Sequence, residues 1–261
     1  MIWQTVFASS QGCVFWEGKC VQDSQEFNVV ITGSVVARLH DEEGSAIFEE
    51  HLRGLSLTGM GQDALEEVLA AEVPEMRDWA VGEALAEAVL EAEYNVVFPW
   101  NTERDKRTPF ASLPGADIVG FQQDGNSYRL ALGEVKSSSD ETSPPQVMYG
   151  RSGMTHQIDE LATNLSKIFQ LIKWLVIRVK NTTYENAFNE ACERYLNSGR
   201  SDLALFGVLV RDQEPRESDL ESRARTLANS LQDPTHCRLI ALYLPWPIAQ
   251  LPEAINQGDT P

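Results

Sequence analysis

The sequence of 261 residues is poor in cysteine and has no long hydrophobic run. Its four cysteines are Cys13, Cys20, Cys192 and Cys237, and none belongs to a Cys-X-X-Cys pair or lies near paired histidines. This spacing argues against a structural zinc site, and we interpret the four as small buried residues in a reducing compartment. No uncharged apolar run reaches the length of about 18 residues that a membrane span needs. The first residues lack a basic start before an apolar run, so we expect no secretory signal and a cytoplasmic location.

Several motifs that define other enzyme classes are also missing. The sequence contains no Gly-X-Ser-X-Gly, Walker or Gly-X-Gly-X-X-Gly motif. We therefore exclude a serine hydrolase and a nucleotide-driven motor. Hydrophobic residues make up 43% of the chain and charged residues 23%, which is typical of a folded globular protein. At this length the chain can bury a core that needs neither a disulfide nor a metal for its stability.

Basic residues are scarce, with 21 Lys and Arg against 39 Asp and Glu and a net charge of −18. The deficit is concentrated in residues 1–93, which hold 4 basic and 18 acidic residues, whereas residues 94–180 hold 10 basic and 9 acidic. Binding to DNA or RNA depends on Lys and Arg that neutralise phosphates, so we expect the chain alone to bind nucleic acid weakly. Any such chemistry is expected in the middle third, with a more basic partner holding the nucleic acid. Alternatively, the acidic surface serves solubility.

The pattern from Asp78 onward predicts an α/β fold, a mixed central sheet with flanking helices. The predicted helices are 78–93, 155–180, 184–197 and 217–231, and the predicted strands are 94–99, 116–121, 128–137, 203–210 and 238–244. The second half of the helix over 155–180 is apolar nearly all round, so we expect it to be deeply buried. Leu203–Val210 is a continuous apolar run, typical of a central strand covered on both faces.

The N-terminal part is predicted to be different in character. Residues 1–60 are rich in Val, Ile, Phe and Trp, and they predict strands over 2–8, 13–16, 27–39 and 46–48. We therefore predict a β-rich N-terminal subdomain over 1–75, an α/β core over 76–250 and a flexible tail over 251–261.

Three side chains in the predicted sheet are candidates for metal-dependent chemistry. Asp117 lies at the start of one predicted strand, and Glu134 and Lys136 lie on its partner. Residues two apart on a strand point to the same face, so Glu134 and Lys136 share a face while Val135 points to the other. Two carboxylates without a thiolate suit a hard cation such as Mg²⁺ (or Mn²⁺), and the carbonyl of Val135 is a further candidate ligand. Lys136 can orient or help to deprotonate an attacking water.

The helix before these strands adds two acidic candidates. Glu83 and Glu87 lie four residues apart in the string GEALAE, so they share one helix face. One interpretation is that one of them reaches the metal site. The other is a solvated acidic face, because Glu91 continues the same row.

Basic and aromatic residues precede the Asp117 strand. Arg104, Lys106 and Arg107 lie in a polar loop, where they either contact phosphate or pair with the acidic residues between them. We interpret Trp100 as a residue that anchors this loop rather than one that stacks on a base.

The strings GEALAE, GADIVGF and GEVKSSS resemble the core of the PD-(D/E)XK nuclease superfamily. The resemblance covers residues 78–212 and implies a restriction-endonuclease-like αβββαβ core. It also implies a metal site at Asp117 and Glu134, with Lys136 completing the Glu-X-Lys motif. A Gln on the helix after the Lys strand is frequent in the family, and Gln157 occupies that place. Ala116 stands where the family pattern has Pro.

A narrower similarity is to the nuclease subunit of the Hachiman anti-phage defence system, which acts with a helicase. That similarity implies a DNA endonuclease subunit whose helicase partner holds the DNA, in agreement with the acidic charge. Two alternatives stay open: a non-catalytic interaction subunit with a nuclease-like fold, whose residues 1–93 form the partner surface, and a regulator with an unrelated α/β fold.

Overall fold

A seven-stranded mixed sheet forms the centre of the protein. The computed structural model describes residues 2–22, 24–55, 58–70, 78–101 and 115–257. The strands are β1 Trp3–Gln11, β2 Val14–Val21, β3 Val96–Val97, β4 Ile118–Asp124, β5 Ser127–Ser138, β6 Leu203–Arg211 and β7 His236–Tyr243. They lie in the order β1-β2-β7-β6-β5-β4-β3. The strands β2, β7, β6 and β5 run parallel to one another. β1 pairs antiparallel with β2 at one side of the sheet, and at the other side β4 pairs antiparallel with both β5 and β3.

Helices cover both faces of this sheet. They are α1 Ser24–Val30, a π-helical segment Ile31–Val35, α2 Val36–Leu39, α3 Glu42–Leu55, α4 Gly59–Ala70, α5 Asp78–Tyr94, α6 Met154–Thr163, α7 Leu165–Val179, α8 Glu185–Asn197, α9 Glu221–Ser230 and α10 Leu251–Gln257. The helices α6 to α9 share one hydrophobic core with the sheet, and α1, α2, α5 and α10 share the other. The predicted mixed sheet with flanking helices is therefore confirmed. In the described part of the chain, no helix has the length and apolar character that crossing a membrane requires.

The element order from α5 onward follows the prediction closely. One helix is followed by β3, β4 and β5, then by further helices, β6, α9 and β7. The two residues that join β4 to β5 are Gly125 and Asn126, and Gly125 has a φ of +62°, the left-handed conformation that a tight hairpin turn needs. All nine residues of β6 are buried, as expected for a strand covered on both faces.

The prediction of a β-rich N-terminal subdomain was wrong. The hairpin β1–β2 is part of the main sheet, since β2 pairs in parallel with β7. Residues 27–39 and 46–48, predicted as strands, are helical. The buried side chains of the first segment are Phe27, Ile31, Val35 and Leu39, which recur every four residues and so form one helix face. This spacing outweighs the β-propensity of the valines and isoleucine.

Two further predictions need correction. The helix predicted over 155–180 is broken at Asn164, whose side-chain oxygen accepts hydrogen bonds from the backbone N–H groups of Ser166 and Lys167 and so caps α7. The second half of α7 is not deeply buried, because Ile177 is 69% exposed. Residues 251–257, predicted as part of a flexible tail, form α10, in which Leu251 is fully buried. Its apolar side chains pack against the α5 side of the sheet.

We expect Gly133→Ala to destabilise the protein by about 1–3 kcal/mol, the usual cost of overpacking. A Cβ at position 133 would lie 2.1 Å from the carbonyl oxygen of Phe206, a backbone atom of the neighbouring strand that cannot rotate away. The control is Gly54→Ala in α3, where a Cβ meets nothing within 4 Å and the better helix propensity of Ala is expected to be neutral or stabilising. Thermal unfolding measures both, and equal midpoints would contradict the close approach.

Candidate functional site

The candidate site lies where β4 separates from β5. The β4–β5 ladder ends at the pair Ile118–Gly133, whereas β5 continues to Ser138 along β6. Asp117 lies one residue before β4, and its side chain accepts the next hydrogen bond from β5 in place of a backbone carbonyl. Its Oδ2 accepts a hydrogen bond of 3.0 Å from the backbone N–H of Val135. The carboxylate of Asp117 is thereby fixed beside β5 at the point where the strands part.

Glu134 and Lys136 extend from β5 into the same space. The Lys136 Nζ lies 3.2 Å from Glu134 Oε2 and 3.8 Å from Asp117 Oδ2. The Glu134 side chain is only 3% exposed, while those of Asp117 and Lys136 are 15% and 20% exposed. The structure thus brings together the three residues singled out by the sequence. The predicted sharing of a face by Glu134 and Lys136 is confirmed, since Val135 belongs to the hydrophobic core on the α5 side.

Burial and charge repulsion perturb the acidic pair. Burial, the larger cause, and the nearby carboxylate of Asp117 raise the pKa of Glu134 to about 8, although Lys136 acts in the opposite direction. Glu134 therefore holds a proton near neutral pH in the metal-free protein. A carboxylic acid whose pKa is raised this far beside a second carboxylate and a lysine is typical of functional sites.

The donor atoms suit a hard divalent cation. The N–H and C=O of one residue in an extended strand point to the same side, so the Val135 carbonyl lies on the side of Asp117, to which its N–H donates. Two carboxylates and this carbonyl give an oxygen-only set, and Mg²⁺ is usually bound through one or two carboxylates and several waters. Within the residues that the structure describes, no group of three or more His, Cys, Asp or Glu side chains could hold a metal ion. A metal here would therefore keep much of its hydration.

Gln157 lies on α6, which packs over β5 and β6 on the face to which Glu134 and Lys136 point. Its amide oxygen is buried and has no hydrogen-bond partner among the described residues. Buried polar atoms are nearly always satisfied, so an orphan of this kind calls for a water or a ligand. The role of Gln157 in the site stays a prediction.

The two glutamates of α5 differ in their surroundings. Glu87 is 3% exposed, and its Oε2 lies 3.8 Å from the Nε of Arg38 on α2. The helix approaches β5 on the face of Val135, because a Cβ on Gly82 would lie 2.5 Å from the Oγ of Ser137, the residue after Lys136. Glu83 follows Gly82 in the chain and, like Glu87, is a candidate for a further ligand. The role of either one in metal binding stays a prediction.

The sequence reasoning did not identify Arg211, a charged residue at the end of the apolar strand β6. Arg211 is 1% exposed and donates to the carbonyl oxygens of Asp140 at 2.7 Å and Thr142 at 3.3 Å, and it pairs with the buried Asp219 at 3.5 Å. These contacts hold the segment that follows Lys136 against β6. The sequence signal for Arg211 is a charged residue directly after the apolar run of β6. A charge in such a place is costly to bury unless other groups pair with it.

Four other residues were considered from the sequence. Arg104, Lys106 and Arg107 lie outside the described residues. Trp100 donates from its Nε1 to the carbonyl oxygen of Val119 at 2.9 Å, in agreement with the role of loop anchor. It also packs edge-on against Trp174.

The comparisons with known proteins do not assign the chain to a family. No protein-family model matches the sequence, and no curated protein matches it.

Proposed function

We propose that this protein is a metal-dependent nuclease subunit that hydrolyses phosphodiester bonds in DNA. The observation that carries the proposal is the convergence of Asp117, Glu134 and Lys136 where β4 and β5 part, with Lys136 Nζ within 4 Å of both carboxylates. A support of a second kind is the arrangement of α5, β3, β4, β5, α6 and β6, which agrees with the αβββαβ order implied by the resemblance to PD-(D/E)XK nucleases.

Each residue has a chemical role in the proposal. Asp117, Glu134 and the carbonyl of Val135 would hold Mg²⁺ or Mn²⁺, with Glu83 as a further candidate ligand. The metal supplies charge stabilisation for the phosphodiester as negative charge builds on it. Lys136 orients the attacking water and stabilises the hydroxide character that it acquires. Gln157, on the helix that covers the same face of the sheet, offers an amide to fix a water or a phosphate oxygen.

The second part of the proposal is a protein partner, a helicase that holds the DNA, as in bacterial anti-phage defence. The support comes from α3 and α4, which contact little besides each other. None of the described side chains of α3 is buried, and α4 buries only Leu65. Exposed apolar residues on the pair are Ile47, Phe48, Leu55, Met60 and Val68. A short helix without packing is marginally stable in water, so an acidic helical pair with exposed apolar side chains suits a protein partner.

The test is cleavage of supercoiled plasmid in the presence of Mg²⁺, by the protein alone and with its co-purified partner. We expect nicked or linear product in Mg²⁺ or Mn²⁺ and none in EDTA. Since the chain is acidic, the partner is expected to increase the rate. Intact plasmid under every metal condition, with the partner present, would contradict the nuclease proposal.

A thermal melt separates the nuclease from a non-catalytic interaction subunit. Binding to the folded state stabilises by RT ln(1 + [L]/Kd), which is about 2.7 kcal/mol when the metal is at 100 times its Kd. We therefore expect saturating Mn²⁺ to raise the unfolding midpoint of the wild type by about 5–10 °C and to leave Asp117→Asn unchanged. Asn can still accept the hydrogen bond from Val135, so this variant should fold. The interaction subunit predicts no metal-dependent shift in either protein.

A further inference from the structure

A cavity on the far side of α6 from Gln157 contains polar groups without partners. It has a volume of about 350 Å³ and lies between the turn after β5, the start of α6 and the body of α9. The polar and aromatic residues that line it include Tyr149, Thr155, His156, Asp159 and Arg223. The size is at the lower end of the range for small-molecule sites, about 300–1,000 Å³.

Two of these residues present buried polar atoms with nothing to bond. The Nε of Arg223 and the Oγ1 of Thr155 are both buried, and neither has a hydrogen-bond partner in the described part of the chain. Buried polar groups are satisfied in more than nine cases of ten. Both residues line the same cavity, so a ligand with oxygen acceptors bound there would lie beside two groups that the described part of the chain leaves unsatisfied.

The guanidinium of Arg223 is held in place without being neutralised. Its Cζ lies 4.1 Å from the centroid of the Tyr149 ring. No described carboxylate lies within ion-pair distance of it, although Asp159 lines the same cavity. An arginine that is stacked on an aromatic ring and lacks an acidic partner is well suited to bind a phosphate.

We propose that this cavity binds the phosphate group of a nucleotide unit, with Arg223 and Thr155 as the phosphate ligands. Asp159 would accept a hydrogen bond from a sugar hydroxyl or a base amino group, which a bare phosphate cannot offer. Tyr149 is 44% exposed, so its ring would be open to a base beside the stacked guanidinium. The choice of a nucleotide rests on the proposed nuclease function, because α6 also carries Gln157.

The phosphate has two possible sources, a DNA strand and a free nucleotide, and the probes distinguish them. A fluorescein-labelled DNA strand of 12 nucleotides is titrated in Ca²⁺, and AMP and inorganic phosphate are titrated by calorimetry. We expect Arg223→Gln to weaken binding of the DNA strand, or of AMP, by about tenfold, since a charge-assisted hydrogen bond is lost. Dependence of the strand on Arg223 supports a strand site, and dependence of AMP alone supports a free nucleotide.

Matched variants keep the test specific. Arg216→Gln removes an exposed arginine outside the cavity, so it should leave binding unchanged. Arg223→Lys keeps the charge without Nε and should retain only part of the affinity. Equal binding by wild type, Arg223→Gln and Arg216→Gln, with each variant folded by circular dichroism, would overturn the proposal.

The outcome is independent of the fate of the nuclease proposal. Lys173→Ala, which removes an exposed lysine on α7 outside the cavity, should bind the same probes with wild-type affinity. Loss of probe binding in Arg223→Gln together with no metal-dependent cleavage would refute the nuclease and keep the phosphate site. Cleavage and Mn²⁺ stabilisation without dependence on Arg223 would refute the phosphate site and keep the nuclease.

Discussion

Lys136→Ala is expected to reduce Mg²⁺-dependent cleavage of DNA by about 100-fold or more. The side chain is the only cation that the structure places within 4 Å of both described site carboxylates, at 3.2 Å from Glu134 and 3.8 Å from Asp117. A positioned group that assists proton transfer contributes about 10²- to 10⁴-fold to a rate. The initial rate of plasmid nicking at fixed Mg²⁺ measures the effect, with the helicase partner present if it is required.

The variant should remain folded, which makes the loss interpretable. Without Lys136 the repulsion between Glu134 and Asp117 is no longer offset, so Glu134 simply keeps its proton to higher pH. The matched control is Lys173→Ala, which removes an exposed lysine on α7 and should cleave at the wild-type rate. Cleavage by Lys136→Ala at the rate of Lys173→Ala would show that the lysine has no part in the reaction.

The central α/β arrangement could be predicted because local signals and tertiary packing agree there. The apolar run of β6 and the turn at Gly125 between β4 and β5 are each local features that do not depend on the rest of the chain. α5 likewise begins at Asp78, where the helix was predicted to begin. In these segments the length, the apolar pattern and the flanking residues all favour the same helix or strand, so the sequence alone predicts the element.

The N-terminal region could not be predicted from composition because propensity and periodicity disagree in it. The segment from Phe27 to Leu39 is rich in β-branched residues, yet its buried positions recur every four residues. A count of those positions would have favoured a helix, and packing against α5 decides the matter. α3 and α4 pose a different difficulty, since most of their apolar residues are exposed in the described part of the chain and do not mark a face that packs against the sheet.

The site was predictable in its residues and not in its geometry. Strand alternation placed Glu134 and Lys136 on one face, and the structure confirms this. The bond from the Val135 N–H to Asp117 depends on the residue at which β4 leaves β5, which no local pattern specifies. Glu83 and Glu87 lie on the same face of α5 but have different neighbours. Which neighbours each one meets depends on tertiary packing and could not be predicted from the sequence.

Glu134→Gln is expected to stabilise the metal-free protein at pH 8.5 while abolishing cleavage. The pKa of Glu134 is raised from an ordinary 4.5 to about 8 in the folded protein. Between these values the unfolded chain has lost a proton that the folded protein keeps, so stability falls as pH rises. Below pH 4.5 Glu134 is protonated in both the folded and the unfolded state, so its titration does not change the free energy of unfolding. Gln stays neutral at every pH, so the variant does not lose stability in this way as pH rises.

The measurement is the difference in unfolding midpoint between Glu134→Gln and wild type in EDTA, from pH 5 to pH 8.5. One pKa unit corresponds to about 1.4 kcal/mol, so we expect the variant to gain about 2 kcal/mol or more over this range, or about 4–8 °C. The difference between the proteins cancels the titration of all other groups. Glu190→Gln, at an exposed position of α8, should follow the wild type throughout. A constant difference across the range would show that Glu134 titrates normally.

Metal should reverse this order of stability. A divalent cation binds the ionised form of Glu134, so its binding to the wild type near pH 7 must release a proton and must strengthen as pH rises toward 8. Calorimetry in two buffers of different ionisation enthalpy counts that proton. In saturating Mn²⁺ the wild type should then become the more stable protein at pH 8, because Glu134→Gln cannot supply the second carboxylate. Glu134 would then lower the stability of the metal-free protein and raise that of the metal-bound protein. Packing alone would favour glutamine at this buried position, so metal binding would explain why a glutamate is present.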